Sequence, residues 1–390
     1  MHKQKVVIIG AGFAGISAMA KLGAHPESFD VTLISPKNHF EYYPGLYRLF
    51  GEHVPFEIFV PLRYMIPSSV TCVYDSVNTL DTDAKKVSTT EGKQFSYDTL
   101  IIATGSIPTD FGIPGVFEHA YLVSTLAHAK EAKKALLEEI QHHIISDTKE
   151  PYTIVIAGAG PTGVELAGEL SLVLDTFAKN YHYPRSRLQI RIVQRGDSIL
   201  PQLPKQVQKI ASRRLKKIRV HIQLDTAITR VYKDTIDTTT GALPYSFFFW
   251  TAGSQTADLI TQTKTLPLSE RKKVLVDREF QVQGIESVYV LGDNAETAFS
   301  GLAQIAEQDG VFVGTMLVAR ALGKPYKPYN PRKPIYVIPI GKRFGILGFQ
   351  KKIFTGILPW MLRYIVDARF FFFHLKFKDF VSLSLERKLR

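Results

Sequence analysis

Two glycine-rich turns of one design, about 150 residues apart, constrain this chain more than any other feature. The first, Gly10-Ala11-Gly12-Phe13-Ala14-Gly15, follows the apolar run 6–9. The second, Gly158-Ala159-Gly160-Pro161-Thr162-Gly163, follows the apolar run 154–157. Each is a G-x-G-x-x-G closing a strand pattern and opening a helix pattern. That context offers a dinucleotide pyrophosphate a helix N-terminus and bare backbone N–H groups. One such turn is a weak signal. Two predict two dinucleotides held by one chain, and the usual chemical reason to hold two is electron transfer between them.

The bulk properties fit that reading. The 390 residues suggest two or three domains, and a hydrophobic content of 45% is that of a globular protein. With a strand pattern begun by residue 6, no signal or transit peptide is expected. Cys72 is the single cysteine. It allows no internal disulfide, no Cys-x-x-Cys pair and no cysteine metal cage, so no metal is expected and electrons must pass through cofactors. Its plain reading is a small buried hydrophobe.

The net charge of +12 is concentrated at the C-terminal end. Residues 331–390 hold thirteen Lys/Arg against three Asp/Glu. These charges alternate with large apolar side chains, including Phe370-Phe371-Phe372-Phe373, which favours an anionic membrane surface over nucleic acid. No apolar run reaches the ~18–20 residues needed to span a bilayer. From 353 to 377, Phe354, Ile357, Leu358, Met361, Leu362 and Ile365 recur at helical spacing, with Lys351, Lys352, Arg363 and Arg369 nearby. The pattern predicts a helix lying in the membrane interface. A core helix or a dimer contact is the alternative.

Between the turns the chain reads as duplicated. Val31-Thr32-Leu33-Ile34 is a second strand ending on Ser35, where a Rossmann unit places an acid for the ribose. Its counterpart, 189–193, ends on Gln194-Arg195, again without an acid. A neutral Gln194 does not repel a 2′-phosphate and Arg195 can pair with one, so NADPH is expected to be accepted beside NADH. Residues 36–67 read as a long irregular loop of the functional kind. A buried strand closes on Ala103-Thr104-Gly105, and another on Thr251-Ala252-Gly253. Residues 125–145 and 303 to about 322 have helical spacing, a strand ends on Gly292-Asp293, and 324–334 is a proline-rich linker. The expected fold is α/β: two Rossmann-like dinucleotide-binding domains, the second inserted in the first, plus a C-terminal membrane-associating segment. The boundaries are 1–122 with 275–328, then 123–274, then 329–390.

This layout resembles the two-dinucleotide flavoprotein reductases, which bind FAD in the first unit and NAD(P)H in the second. Within them it is most similar to the type II NADH dehydrogenases, single-chain NADH:quinone oxidoreductases. The narrower likeness rests on Asn38-His39-Phe40 through Tyr47 with Pro61-Leu62-Arg63, on Ala303-Gln304-x-Ala306-x-Gln308-x-Gly310, and on Ile340-Gly341-Lys342 through Pro359-Trp360. The resemblance implies that FAD is held by Gly10, Gly12, Phe13, Ala14, Gly15, Ser35, Pro36, Asn38, Val77, Ala103, Thr104, Gly105, Gly292, Asp293, Ala303 and Gln304. Asp293 would bond the ribityl chain. NAD(P)H would lie on Gly158, Gly160, Pro161, Thr162, Gly163, Glu165, Gln194, Arg195, Ala252 and Gly253. Glu165 would face the nicotinamide, with Glu169 structural. Gln304 and Gln308 would meet the quinone, making Glu165 and Gln304 the catalytic pair. It further implies a homodimer, peripheral on the cytoplasmic face of the cell membrane, feeding a respiratory chain without pumping protons.

Disulfide reductases and sulfide:quinone oxidoreductases fit less well, because both need cysteines beyond Cys72. Two other readings stay open: a soluble reductase of a ferredoxin-like acceptor, whose acidic surface would suit the positive charge, and a low-turnover NAD(P)H-binding redox sensor.

Overall fold

Strands that alternate with helices bury their apolar faces as parallel sheets covered on both sides. The computed structural model describes residues 3–51, 58–146, 148–350 and 352–375. It contains two such sheets with one strand order. The first runs Gln281–Val282, Ile285–Val290, Thr99–Ile102, Gln4–Ile9, Phe29–Ile34, Val70–Val73, parallel except at the short first strand. The second runs Tyr121–Leu122, Phe247–Trp250, Tyr152–Ala157, Leu188–Val193, Val220–Gln223, parallel throughout. In both, the strand that feeds the glycine turn lies inside the sheet. On one side of it stands the strand ending in the small-residue turn, and these strands, Thr99–Ile102 and Phe247–Trp250, are buried at every position. A three-stranded antiparallel meander precedes each of them: Val77–Asp81, Lys86–Thr89, Gln94–Ser96 in the first unit and Ile228–Val231, Thr235–Thr238, Gly241–Pro244 in the second.

Ile285–Val290 pairs with Thr99–Ile102, so the second unit is inserted in the first. Both insertion points lie earlier than expected. Tyr121–Leu122 belongs to the second sheet, while Ile260, Leu266 and Val274 are buried in the first core. A two-residue strand has no readable period, and scattered apolar residues do not announce which core takes them. Where the chain crosses between units, Ser106–Pro108 pairs antiparallel with Ser254–Thr256.

Helix Ala303–Ala321 lies against helix Phe13–Leu22 at very short range. A Cβ at Gly310 would sit 2.1 Å from the Ala14 carbonyl oxygen, so only glycine admits this crossing. The described parts of 36–67 are more regular than their composition suggests: His39–Glu41 pairs with Phe59–Pro61, and Tyr43–Phe50 and Leu62–Tyr64 are 3-10 turns.

The C-terminal part begins with an antiparallel sheet, Tyr336–Pro339, Gly345–Phe349, Lys352–Gly356, followed by helix Ile357–His374. Ile353 and Phe354 are therefore strand, not helix. Gly356 ends the strand with φ +107°, a conformation that side chains resist. Phe370 and Phe371 are buried in the first core, and only Phe372 and Phe373 are exposed. Lys351, Phe377 and the rest of the expected segment past 375 lie outside the described residues. No described helix is long and apolar enough to cross a membrane.

Candidate active site

The glycines of the two turns divide into two kinds. A Cβ at Gly10 (φ +103°) would lie 2.3 Å from the Ala103 oxygen, and one at Gly15 would lie 1.9 Å from the Gly10 oxygen. Gly163 likewise meets the Gly158 oxygen at 2.1 Å. The fold itself demands these. At Gly12 and Gly160 a Cβ would meet nothing within 4 Å. These two are the N-caps of helices Phe13–Leu22 and Pro161–Asn180, and neither first turn carries an acid or a side-chain cap. Open space, unpaired N–H groups and a positive dipole end fit an anionic pyrophosphate at each turn.

On the first unit, Ser35 is buried and Pro36 and Asn38 are exposed beside it. The Asn38 side chain bonds its neighbour His39 at 3.0 Å. Val77 opens the first meander. The Phe13 ring is buried against Phe40, Tyr42 and Phe370, at ring distances of 5.1, 5.5 and 4.8 Å, so what Phe13 can offer a ligand is its backbone N–H at the helix start. Ala14 is covered by Gly310. Asp293 accepts from the Ser106 hydroxyl at 2.8 Å. Next to it stands Asn294, a residue no sequence motif marked. It is wholly buried and its Nδ2 donates to Thr104 Oγ1 at 2.7 Å, while its Oδ1 has no partner. A buried unpaired acceptor at the carboxyl ends of parallel strands is where a bound group would complete the pairing. Asp309, also unmarked, is buried and accepts from the Gly292 N–H at 3.3 Å and from the Tyr329 hydroxyl. Burial pushes its carboxyl up to about 6. These residues fit FAD.

On the second unit, Gln194 Oε1 accepts from the Ala159 N–H at 3.0 Å, tying the strand end to the glycine turn. Arg195 is exposed beside it, and Pro161 and Thr162 lie exposed on the first helical turn. The Thr251 hydroxyl donates to the Ala157 oxygen at 2.7 Å, which sets Ala252 against Gly158.

Glu165 is buried where three distant stretches meet. Its Oε1 lies 3.9 Å from Arg363 Nη1 on the C-terminal helix. Arg363 also donates to the carbonyls of Pro44 and Val337, at 2.6 and 3.1 Å. Asp367, one turn along, accepts from the Tyr42 hydroxyl at 2.6 Å and pairs with Arg48. Burial pushes both Glu165 and Glu169 up to about 7. Of the expected lipid-facing cations, Arg363 is turned into this cluster, whereas Arg369 stays exposed while pairing with Glu307 at 2.5 Å and Lys352 is exposed. Sequence spacing supplied the helix but not its rotation. Gln304 and Gln308 face the linker, with Gln304 donating to the Ile335 oxygen at 2.9 Å and Gln308 accepting from the Arg332 N–H at 2.9 Å. Ala303 opens their helix. Cys72 is half-buried, and burial raises its thiol.

The pyridine nucleotide-disulphide oxidoreductase family model matches residues 4–310, covering both turns, both sheets and the strand that returns to the first. The chain belongs to that family. Within this oxidoreductase family it is similar to an external alternative NAD(P)H-ubiquinone oxidoreductase, mitochondrial, of Arabidopsis thaliana, at 27% identity over 75% of this chain. The chain spans about half the length of that relative, 54%. It is also similar to a type II NADH:quinone oxidoreductase of Staphylococcus aureus, at 24% identity over 94% of this chain and 95% of that one. Its fold matches NDH2 of Plasmodium falciparum, solved in complex with NADH: TM-score 0.86, 18% identity, covering 98% of this chain and 97% of that chain.

Proposed function

We propose that this chain is a type II NAD(P)H:quinone oxidoreductase, dependent on FAD and working from a membrane surface. The observation that carries the reading is the two-sidedness of helix Ile357–His374. Asp367, Phe370 and Phe371 fix one side in the protein. The other presents Leu358, Met361, Ile365 and Phe372, 50–76% exposed, as one apolar stripe. A stripe of that size on a firmly anchored helix suits lipid. The inner side of the same helix reaches Glu165 through Arg363, so an acceptor dissolved in lipid arrives beside a buried carboxyl. Homodimer formation and attachment to the cytoplasmic face are part of the proposal, supported by the resemblance alone.

FAD, when bound, supplies hydride acceptance from the nicotinamide and two-electron delivery to the quinone. Gly12 and Gly160 would hold the two pyrophosphates, and Asn294 and Asp293 would bond the flavin side. The overall balance, NAD(P)H + H⁺ + quinone giving NAD(P)⁺ + quinol, takes up one proton. Glu165 can hold that proton at Oε near neutral pH, with Arg363 orienting the carboxyl. Steady-state oxidation of NADH and NADPH by detergent-purified protein, with a short-chain quinone, tests the reading. A protein that stays colourless when given FAD, or that reduces an acidic ferredoxin-like protein and no quinone, overturns it.

A further inference from the structure

Phe111 is a large aromatic ring at a position where the fold gains little from one. It is 59% exposed and its φ is +54°, a conformation uncommon for bulky residues. Such strain persists where the surroundings fix it, and it clusters at ligand sites. The fixing contacts are on hand. The Thr109 hydroxyl accepts from the Phe111 N–H at 3.1 Å, and Asp110 accepts from the Gly112 N–H at 2.9 Å. The Thr109 carbonyl accepts from the buried indole N–H of Trp250 at 2.8 Å. Together they fasten the loop to the carboxyl end of strand Phe247–Trp250.

The result is a ring laid on bare backbone. A Cβ at Gly253 would fall 2.1 Å from Phe111 Cζ, so any side chain there would displace the ring. Ala252, the neighbour of Gly253, is the residue that a Cβ at Gly158 would meet at 3.0 Å. The glycine turn, Ala252, Gly253 and the ring of Phe111 therefore form one continuous floor. Along the chain Phe111 lies six residues after Gly105, just past the strand that pairs with Ser254–Thr256. The ring thus lies close to the second glycine turn, next to the ladder where the chain crosses between the units.

We propose that Phe111 is a stacking platform for the nicotinamide-bearing half of the dinucleotide. The inference rests on the dinucleotide reading given above and adds a contact that no glycine motif contains. The ring's unburied surface matches a flat heteroaromatic ligand, and the oxidised form carries a positive charge that a π face attracts.

Calorimetric titration of the FAD-loaded protein with NAD⁺ tests this, with flavin absorbance recording FAD content in each variant. F111A is expected to raise Kd about tenfold and F111L several-fold, while F111Y stays within about twofold, all with FAD content unchanged. F111L and F111Y keep the bulk of the side chain, so they decide the matter if F111A does not fold. Parent-like Kd for F111L sinks the platform and leaves the nicotinamide site standing. A yellow parent protein that binds no NAD⁺ overturns both.

Discussion

Arg48 Nη2 and Asp367 Oδ2, 319 residues apart in the chain, meet at 2.5 Å with side chains only 7% and 1% exposed. The pair joins the loop after the second strand to the C-terminal helix, with Tyr42 bonded to the other oxygen of Asp367. Removing one partner of a buried pair strands the other's charge, at a cost of about 3–5 kcal/mol. D367A should therefore lower the denaturation midpoint strongly and expose the C-terminal helix to protease. The double change R48M/D367L should recover part of the loss. A midpoint for D367A equal to the parent's would show that the pair does not hold the helix.

Glu165 and Glu169 are raised from 4.5 to about 7, and Asp309 from 3.8 to about 6, in each case chiefly by burial. Around Glu165 stand Arg363, Arg48, Asp367 and Glu169. A raised carboxyl binds its proton more tightly when folded than when unfolded. The stability it contributes is complete below about pH 4 and is lost as pH climbs through about 7. E165Q and E169Q should each flatten that decline, by an amount on the order of 2 kcal/mol, in denaturation midpoints compared at pH 5 and pH 8. In the quinone assay kcat should fall above about pH 7, and E165Q should lose that limb. A parent-like pH profile in E165Q would remove the proton role.

The two kinds of glycine should separate on substitution. G15A places a Cβ 1.9 Å from a backbone oxygen and should fail to fold. G12A meets only open space, so it should fold and yet bind FAD at least tenfold more weakly, read as lost yellow colour. G160A should keep FAD and bind NAD⁺ at least tenfold more weakly. Full FAD content in G12A would move the flavin elsewhere.

Gln194 already bonds the Ala159 N–H through Oε1, and glutamate can make the same bond while adding a charge. Q194E should shift the ratio of kcat/KM for NADH over NADPH at least tenfold toward NADH, by repelling the 2′-phosphate. A hundredfold NADH preference in the parent would refute the expectation that NADPH is accepted.

Leu358 and Ile365 are 75% and 64% exposed. L358K/I365K should leave stability within about 0.5 kcal/mol and cut co-sedimentation with anionic vesicles more than tenfold. Undiminished binding would place the membrane contact elsewhere.

The parts legible in the sequence were the local ones. Glycine spacing, the buried four-residue strands and the terminal small-residue turns each lie within a dozen residues, and the structure sets them in two sheets of one topology. What stayed hidden depends on separation along the chain. Arg363 reads as a membrane cation until Asp367 and Glu165 are seen facing it, and the burial of the Phe13 ring depends on Phe370, far along the chain. Asn294 and Asp309 carry no motif. Their one hint was polarity inside segments that pack tightly, with Gly310 next to Asp309. The start of the last helix is hidden because Ile353 and Phe354 satisfy strand and helix spacing alike, and Gly356 alone marks the break.

The three-residue ladder between Ser106–Pro108 and Ser254–Thr256 ties together the two stretches by which the chain crosses between the units. The halves are thereby braced like a truss by backbone pairing, which opposes independent movement of the two glycine turns.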